Sequence, residues 1–556
     1  MARVADAVAG ARYRYRLDGE GPFPDPCSRS QPEGVHGASE VIDPAGFGWG
    51  DEGWEPPAAA DLVIYECHIG TLTTEGTFDA AIGQLARLRD LGVNALEIMP
   101  VSSCPGRWNW GYDGVAHFAP FAPYGGPEGL RRLVDAAHRA GLAVLLDVVY
   151  NHFGPDGNYT GLYSDRYATE KHHTPWGAAL NYDDAGSEGM RRFVVENLLH
   201  FVHEYHVDGF RLDATFAMVD TGPRHILAEI ADTLAERSRL PQRPYLIAET
   251  DEHDEIYFRP TAESGYGFDA VWADDFHHAV RTIVQPERQG YLAKYAGNAE
   301  ELARTIAQGF LFESEGTKRD RPWPQYLFCI QNHDQIGNRA FGQRLNVTAA
   351  HNDFLAASLL LLLLPQLPLL FQGQEFLAST PFLFFTDHNA ELGRLVTEGR
   401  RREFAGFAQF SDPAVRERIP DPQDPRTFER SKLNLDEAAF GAGLLAQDLY
   451  REALRLRATD PVLVAARRER VSLRTTAREK AVLVELETGA GMRLIAVNFG
   501  DAVAFSHTKA EGLTTLLHTG GPRFGGNAVA PRLLSNGKVV VPAHSAALFG
   551  PGSAQG

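Results

Sequence analysis

The sequence predicts an α/β protein built on a closed (β/α)8 TIM barrel, with a small subdomain inserted after the third strand and an antiparallel β domain at the C-terminus. Three observations carry this. Short apolar runs alternate with amphipathic stretches eight times between residues 62 and 376, the pattern of a parallel sheet covered by helices. The segment 151–190 is too long for a βα loop and is rich in Gly, Tyr, His and Asn. After about residue 465 the hydrophobic period changes to two. An open doubly wound sheet is the alternative, but no G-x-G-x-x-G follows the first strand.

The opening segment, RYRYRL followed by Pro- and Gly-rich chain, reads as the last strand of a larger unit and a linker, over residues 1–60. The first barrel strand is LVIYECHIG (62–70). The stretch 77–92 then places Phe78, Ala81, Ile82, Leu85 and Leu88 on one helical face, with Gly92 at the C-cap. ALEIMPV (95–101) is the second strand. The helix 125–141 has Pro127 near its first turn and feeds LAVLLDVV (142–149), a run typical of a strand buried on both faces. RRFVVENLLHFVHEY (191–205) is the next helix. The remaining strands are GFRLDA (209–214), PYLIAE (244–249), DAVWADD (269–275), YLFCIQNHD (326–334) and the run at 368–376. Phe354–Leu364, the longest apolar run, is about half a membrane span and ends at Pro365, so it reads as a buried helix. Residues 377–449 form a second irregular insertion that closes the 61–449 barrel domain. In 450–556, AVLVELET, MRLIAVNFG and KVVVPAHSAALFG are joined by GAG and SNG turns.

A chain of 556 residues with 44% hydrophobic and 22% charged residues is globular, with about two or three domains. A net charge of −19 repels nucleic acid and anionic membranes and suits a neutral ligand. Cys27, Cys67, Cys104 and Cys329 form no CxxC pair and read as buried free thiols. No apolar h-region opens the chain, so no leader is expected and the bacterial cytoplasm is the default location.

The chemistry lies at the strand ends, since C-terminal ends of barrel strands face the active-site mouth. The third strand finishes with Asp147, then Asn151 and His152. The fourth carries Arg211 and ends at Asp213, the fifth ends at Glu249, and the seventh at Asn332, His333 and Asp334. A solvated or ion-paired strand end explains any one of these, but not four apolar strands that each close on a carboxylate. Paired carboxylates across a cleft are what glycoside hydrolysis needs: one attacks the anomeric carbon and one protonates the leaving oxygen. Arg211 lies two residues before Asp213 on the same strand face and would keep it ionised. At this level retaining and inverting chemistry both stay open.

DVVYNH (147–152), GFRLDA (209–214), Ala248-Glu249 and QNHDQIGN (331–338) resemble, in order, the four short conserved regions of the α-amylase superfamily of retaining glycoside hydrolases. The resemblance implies Asp213 as nucleophile, Glu249 as general acid/base and Asp334 as the carboxylate that grips sugar hydroxyls. Asp147, His152, Arg211 and His333 would complete the subsite of the sugar being cleaved. Tyr112, in NWGYDG, is similar to the aromatic platform beneath it; a core tyrosine is the plainer reading. The stretches 23–44, 372–388, 391–404 and 420–433 look like the maltooligosyltrehalose trehalohydrolase family, whose reaction hydrolyses the α-1,4 bond beside a terminal trehalose and needs no cofactor. Phe385, Asp387 and His388, just past the eighth strand, are then the expected readers of the trehalose unit.

Two departures from that family stand out. Its usual N-terminal immunoglobulin-like domain is largely missing, and Phe216 stands where histidine is common. Asn151 lies where calcium-binding amylases supply a ligand, but no acidic loop accompanies it and no metal is expected. His172 and His173 read as surface histidines, and the C-terminal domain as a brace rather than a starch binder. A branching enzyme is the nearest alternative and a non-catalytic amylase-like binding protein a remote one.

Overall fold

The computed structural model describes residues 7–238, 243–285, 287–312, 322–469, 472–526, 529–534 and 536–552. The start of the expected leader-free segment (1–6) and Ser535 of the SNG turn lie outside them. Eight parallel strands close into a barrel: β1 (Ile64–Cys67), β2 (Ala95–Ile98), β3 (Ala143–Val148), β4 (Gly209–Leu212), β5 (Tyr245–Ala248), β6 (Ala270–Trp272), β7 (Tyr326–Phe328) and β8 (Leu367–Phe371), with β8 pairing back onto β1. The strands are shorter than the apolar runs that predict them.

A change of polarity along the strands positions the site. Inward side chains alternate along each strand. At the N-terminal end they are apolar: Ile64, Ala95, Ala143, Leu145, Ile247, Ala270, Trp272, Leu327 and Leu369 form one buried cluster. Two residues further along the same faces stand Glu66, Glu97, Asp147, Glu249 and Asp274, with Arg211 and Asp213 two apart on β4. The dry cluster plugs one end, and the charged layer lies on it at the other. Across β3 and β4, Asp147 is the register partner of Arg211; across β1 and β2, Glu66 is that of Glu97.

Helices cover the outside. In Gly126–Ala140, Leu130, Leu133, Val134 and Ala137 are buried as expected, and Gly141 takes a left-handed C-cap conformation at φ 82°. His351–Leu363, from the long apolar run, is buried on nearly every side. At the closed end Asp208, just before β4, accepts from Trp54 Nε1 at 2.8 Å and lies 2.9 Å from His138 Nε2. Asp51 reaches the other His138 nitrogen at 2.9 Å and His206 Nδ1 at 2.8 Å. This latch straps residues 49–54 beneath the barrel.

The expected single strand RYRYRL is instead two short pieces. Arg12–Tyr13 pairs with Ser39–Glu40, and Tyr15–Leu17 with Glu20–Phe23. The insertion 151–190 holds an antiparallel hairpin, Ala168–Thr174 with Gly177–Leu180. The boundary expected at 449/450 falls inside the helix Gly441–Thr459, in which Tyr450, Ala453 and Leu454 are buried. Beyond lie β9 (Ser472–Arg478), β10 (Ala481–Thr488), β11 (Gly491–Asn498), β12 (Val503–Ser506), β13 (Leu513–His518), β14 (Arg532–Leu533), β15 (Lys538–Val541) and β16 (Ser545–Pro551). They form two antiparallel sheets, β9-β10-β11-β16-β13 and β12-β15-β14. Cys67, Cys104 and Cys329 are buried free thiols. Cys27 is exposed, a correction that follows from its place in the linker.

Candidate active site

Arg211 is the centre of the charged layer. Its guanidinium has no exposure. Nη1 lies 2.8 Å from both Asp147 oxygens and 2.8 Å from Asp213 Oδ1, and Nη2 is 3.1 Å from Glu249 Oε2. The Trp272 ring covers it at 4.3 Å from the centroid, a cation–π contact that replaces water on that side. Asn151 Nδ2 donates to Asp213 Oδ2 at 2.7 Å, so the amide beside the expected subsite orients this carboxylate. Asp213 and Glu249 thus hang from one cation, and both side chains keep some exposure (12% and 24%) while Arg211 and Asp147 have almost none.

The turn after β4 aims a backbone donor. Ala214 adopts a left-handed conformation (φ 39°, ψ 55°), costly for a residue with a Cβ. Its N–H then donates to Glu249 Oε2 at 2.6 Å. Burial, with the charges of Asp213 and Asp334 against Arg211, pushes Glu249 up to about 8. A carboxyl that keeps its proton at neutral pH is suited to general-acid work.

On the facing side Tyr112 Oη donates to Asp147 Oδ2 at 2.6 Å and lies 2.8 Å from His333 Nε2. The two rings stack with centroids 5.2 Å apart. His333 Nδ1 faces Glu66 Oε1, and Glu66 Oε2 accepts the His333 backbone N–H at 3.1 Å. Asp334 is held by Asn338 Nδ2 at 3.0 Å and leaves about a third of its side chain exposed. His152 Nε2 meets the Tyr112 carbonyl at 3.0 Å. Its ring lies parallel to Trp176, from the hairpin tip, at 4.8 Å. One cleft therefore collects Tyr112, Asp147, His152, Arg211, Asp213, Glu249, His333 and Asp334.

The three residues expected to read trehalose are held by other partners. Phe385 is a correction: with 0% exposure, packed edge-on to His68, Phe382 and Phe428, its ring has no surface to offer a sugar. Asp387 Oδ2 accepts the Arg107 N–H at 2.8 Å, and the buried His388 side chain lies 3.4 Å from Asp113 Oδ2. Both line a cavity of about 690 Å³ with Gln31–His36 and Arg107, to which none of the three carboxylates contributes. His172 is tied to Asp183 at 2.9 Å, and His173 is exposed.

Sequence reasoning missed Glu66, Glu97, Asp274 and Trp176. The first three were signalled by strand parity, two residues beyond inward apolar positions. Trp176 comes from a hairpin that no local pattern marked. Asp274 is pushed up to about 7 by burial and the charges of Asp334 and Asp275, and accepts from Gln335 Nε2 at 3.3 Å.

Residues 23–176 match the model of the α-amylase catalytic domain. The malto-oligosyltrehalose trehalohydrolase of Deinococcus radiodurans is 45% identical over 531 residues, spanning 92% of this chain and 85% of that protein. This chain belongs to the trehalohydrolase family. Its relative in Saccharolobus solfataricus is 43% identical over 436 residues, 76% of this chain and 74% of that protein. A solved structure described as a putative α-amylase from Salmonella typhimurium superposes with a TM-score of 0.87 at 36% identity, covering 98% of this chain and 91% of that one. As a member of this family within the α-amylase fold, the chain is a glycoside hydrolase.

Proposed function

We propose that the chain hydrolyses the α-1,4 bond beside the terminal trehalose of maltooligosyltrehalose by a retaining double displacement. The observation that carries this is one guanidinium shared by Asp213 and Glu249, in a setting whose burial raises the pKa of Glu249. Asp213 attacks the anomeric carbon, and the bond to the trehalose oxygen breaks as Glu249 gives that oxygen its proton. The resulting glycosyl ester is then opened by water, whose proton returns to Glu249. Asp334 grips hydroxyls of the ring being cleaved, which lies on Tyr112 with Asp147, His152 and His333 around it. No step calls for a cofactor or metal. A neutral glucan substrate and a cytoplasmic site of action suit the acidic chain, in which no helix among the described residues is long and apolar enough to cross a membrane.

The leaving oxygen must meet Glu249, so the trehalose unit lies on the Glu249 side, away from Tyr112. Phe216, 36% exposed in the turn Thr215–Ala217, stands there, because Thr215 is bonded through its N–H (2.9 Å) and hydroxyl (2.7 Å) to the Glu249 carbonyl. It replaces Phe385 as the residue assigned to that unit. Incubation with maltooligosyltrehalose is the test: trehalose released in step with new reducing ends supports the reading. Branched product without trehalose would favour the related branching reaction, performed by an enzyme of Corynebacterium jeikeium that is 31% identical over 315 residues. Asp213→Asn must abolish the release; activity equal to the unaltered protein would reject Asp213 as nucleophile.

A further inference from the structure

We propose that Glu66 is a positioning residue, which keeps the His333 imidazole doubly protonated and oriented toward the sugar-binding side of the cleft. This rests on the retaining glucan-hydrolase reading above.

The argument is one of proton counting. Tyr112 has a single hydroxyl proton and gives it to Asp147 Oδ2 at 2.6 Å. Its oxygen can therefore only accept from His333 Nε2, 2.8 Å away, so that nitrogen carries a proton. On the other side of the ring, Nδ1 faces a carboxylate oxygen of Glu66 and must donate as well. Both nitrogens carry hydrogen and the ring is a cation. Glu66 binds it at two points, since its second oxygen accepts the His333 backbone N–H at 3.1 Å. Both residues are only 1% exposed, so no water substitutes for either contact.

The surroundings agree with a charged ring. Asp334 Oδ2 lies 3.4 Å from Nε2, and its charge with that of Glu66 outweighs burial and Arg211 to raise His333 to about 10. His68, at the end of β1, is kept neutral by burial, at about 4. Asp147 behind Tyr112 and Asp274 beyond β6 add negative field. Glu97, the register partner of Glu66, has both oxygens buried without a hydrogen bond. Burial and the neighbouring Glu66 charge push its pKa well up. Among the described residues Glu66 is thus the one carboxylate that touches Nδ1, and it acts on the sugar only through His333.

The test combines ring-nitrogen NMR of 15N-histidine-labelled protein, assigned with a His333→Gln variant, and the pH profile of trehalose release from maltooligosyltrehalose. At pH 8 both His333 nitrogens should be protonated in the unaltered protein and only one in Glu66→Gln. The alkaline limit of kcat/KM, set near 8 by Glu249 in the unaltered protein, should move to lower pH by at least about one unit as the His333 ring loses its second proton, a tenfold loss on that flank. Glu66→Asp should restore the limit. A neutral ring in the unaltered protein would overturn the proposal, even if Glu66→Gln fails to fold. So would a Glu66→Gln profile with a lower plateau and the same limit. Absence of trehalose release by the unaltered protein would sink the functional reading instead, while the nitrogen spectra still decide the role of Glu66.

Discussion

At the scale of single residues the site is a balance of buried charge. Arg211, itself without exposure, offsets Asp147, Asp213 and Glu249. Arg211→Met leaves those carboxylates without a counter-charge, and stability should fall by about 3–5 kcal/mol, measured by urea unfolding, together with loss of activity. Glu249 must be protonated to act as an acid, and its proton is lost as pH rises through about 8. The kcat/KM for trehalose release should therefore fall roughly tenfold per pH unit above that value. A flat profile to pH 9.5 would contradict its role. Phe216 offers an apolar face to the leaving disaccharide, so Phe216→Ala should raise KM for maltooligosyltrehalose by about three- to tenfold with kcat little changed, the size of a lost ring contact.

At the scale of elements, the latch beneath the barrel couples the 49–54 strap to β4. Burial alone would lower the His138 pKa, but the bonds and charges of Asp208 and Asp51 raise it. This group stabilises in full below its unfolded value of about 6.5, and the contribution is lost as pH rises through the higher folded value. For Asp51 burial is outweighed by His206 and His138, and its pKa is lowered. Its contribution is present above about 3.8 and lost as pH falls through the lower folded value. Asp51→Asn should therefore lower the melting temperature more at pH 6 than at pH 9. An equal drop at both would mean that the latch works by packing alone, through the Trp54–His138 and Trp49–His206 stacks.

At the scale of the whole molecule, polar contacts tie the C-terminal sheets and the helices that lead to them onto the barrel. Arg467 and Arg468 both reach Asp61 before β1, and Arg457 donates to the carbonyls of Leu362, Leu364 and Gln366 at the end of the buried helix. Arg493 of β11 pairs with Asp460 at 2.7 Å, and Thr475 of β9 donates to Ala303 at 3.1 Å. Barrel and C-terminal domain should melt in one calorimetric transition. Two resolved transitions in the unaltered chain would show the sheets to be an independent unit.

Much of this was legible along the chain. Strand and helix periodicities reveal eight βα units, and a carboxylate at the end of an apolar run is visible because burial makes it expensive without a partner. Asp147, Asp213, Glu249 and Asp334 needed no coordinates to be suspected. Glu66 was legible in principle, since the same parity that buries Ile64 turns it inward, but its task is not: the imidazole it holds comes from the short helix His333–Gly337 after β7, far along the chain. Phe385 was misread because a hydrophobic residue in a polar insertion looks available until the insertion folds over it. Local pattern determines which side chains face inward, because strand geometry alternates regardless of partners. Which inward charges meet, which proton each one keeps and which aromatic rings stay open to a sugar were decided only by closure of the barrel, because electrostatics and exposure depend on neighbours hundreds of residues away.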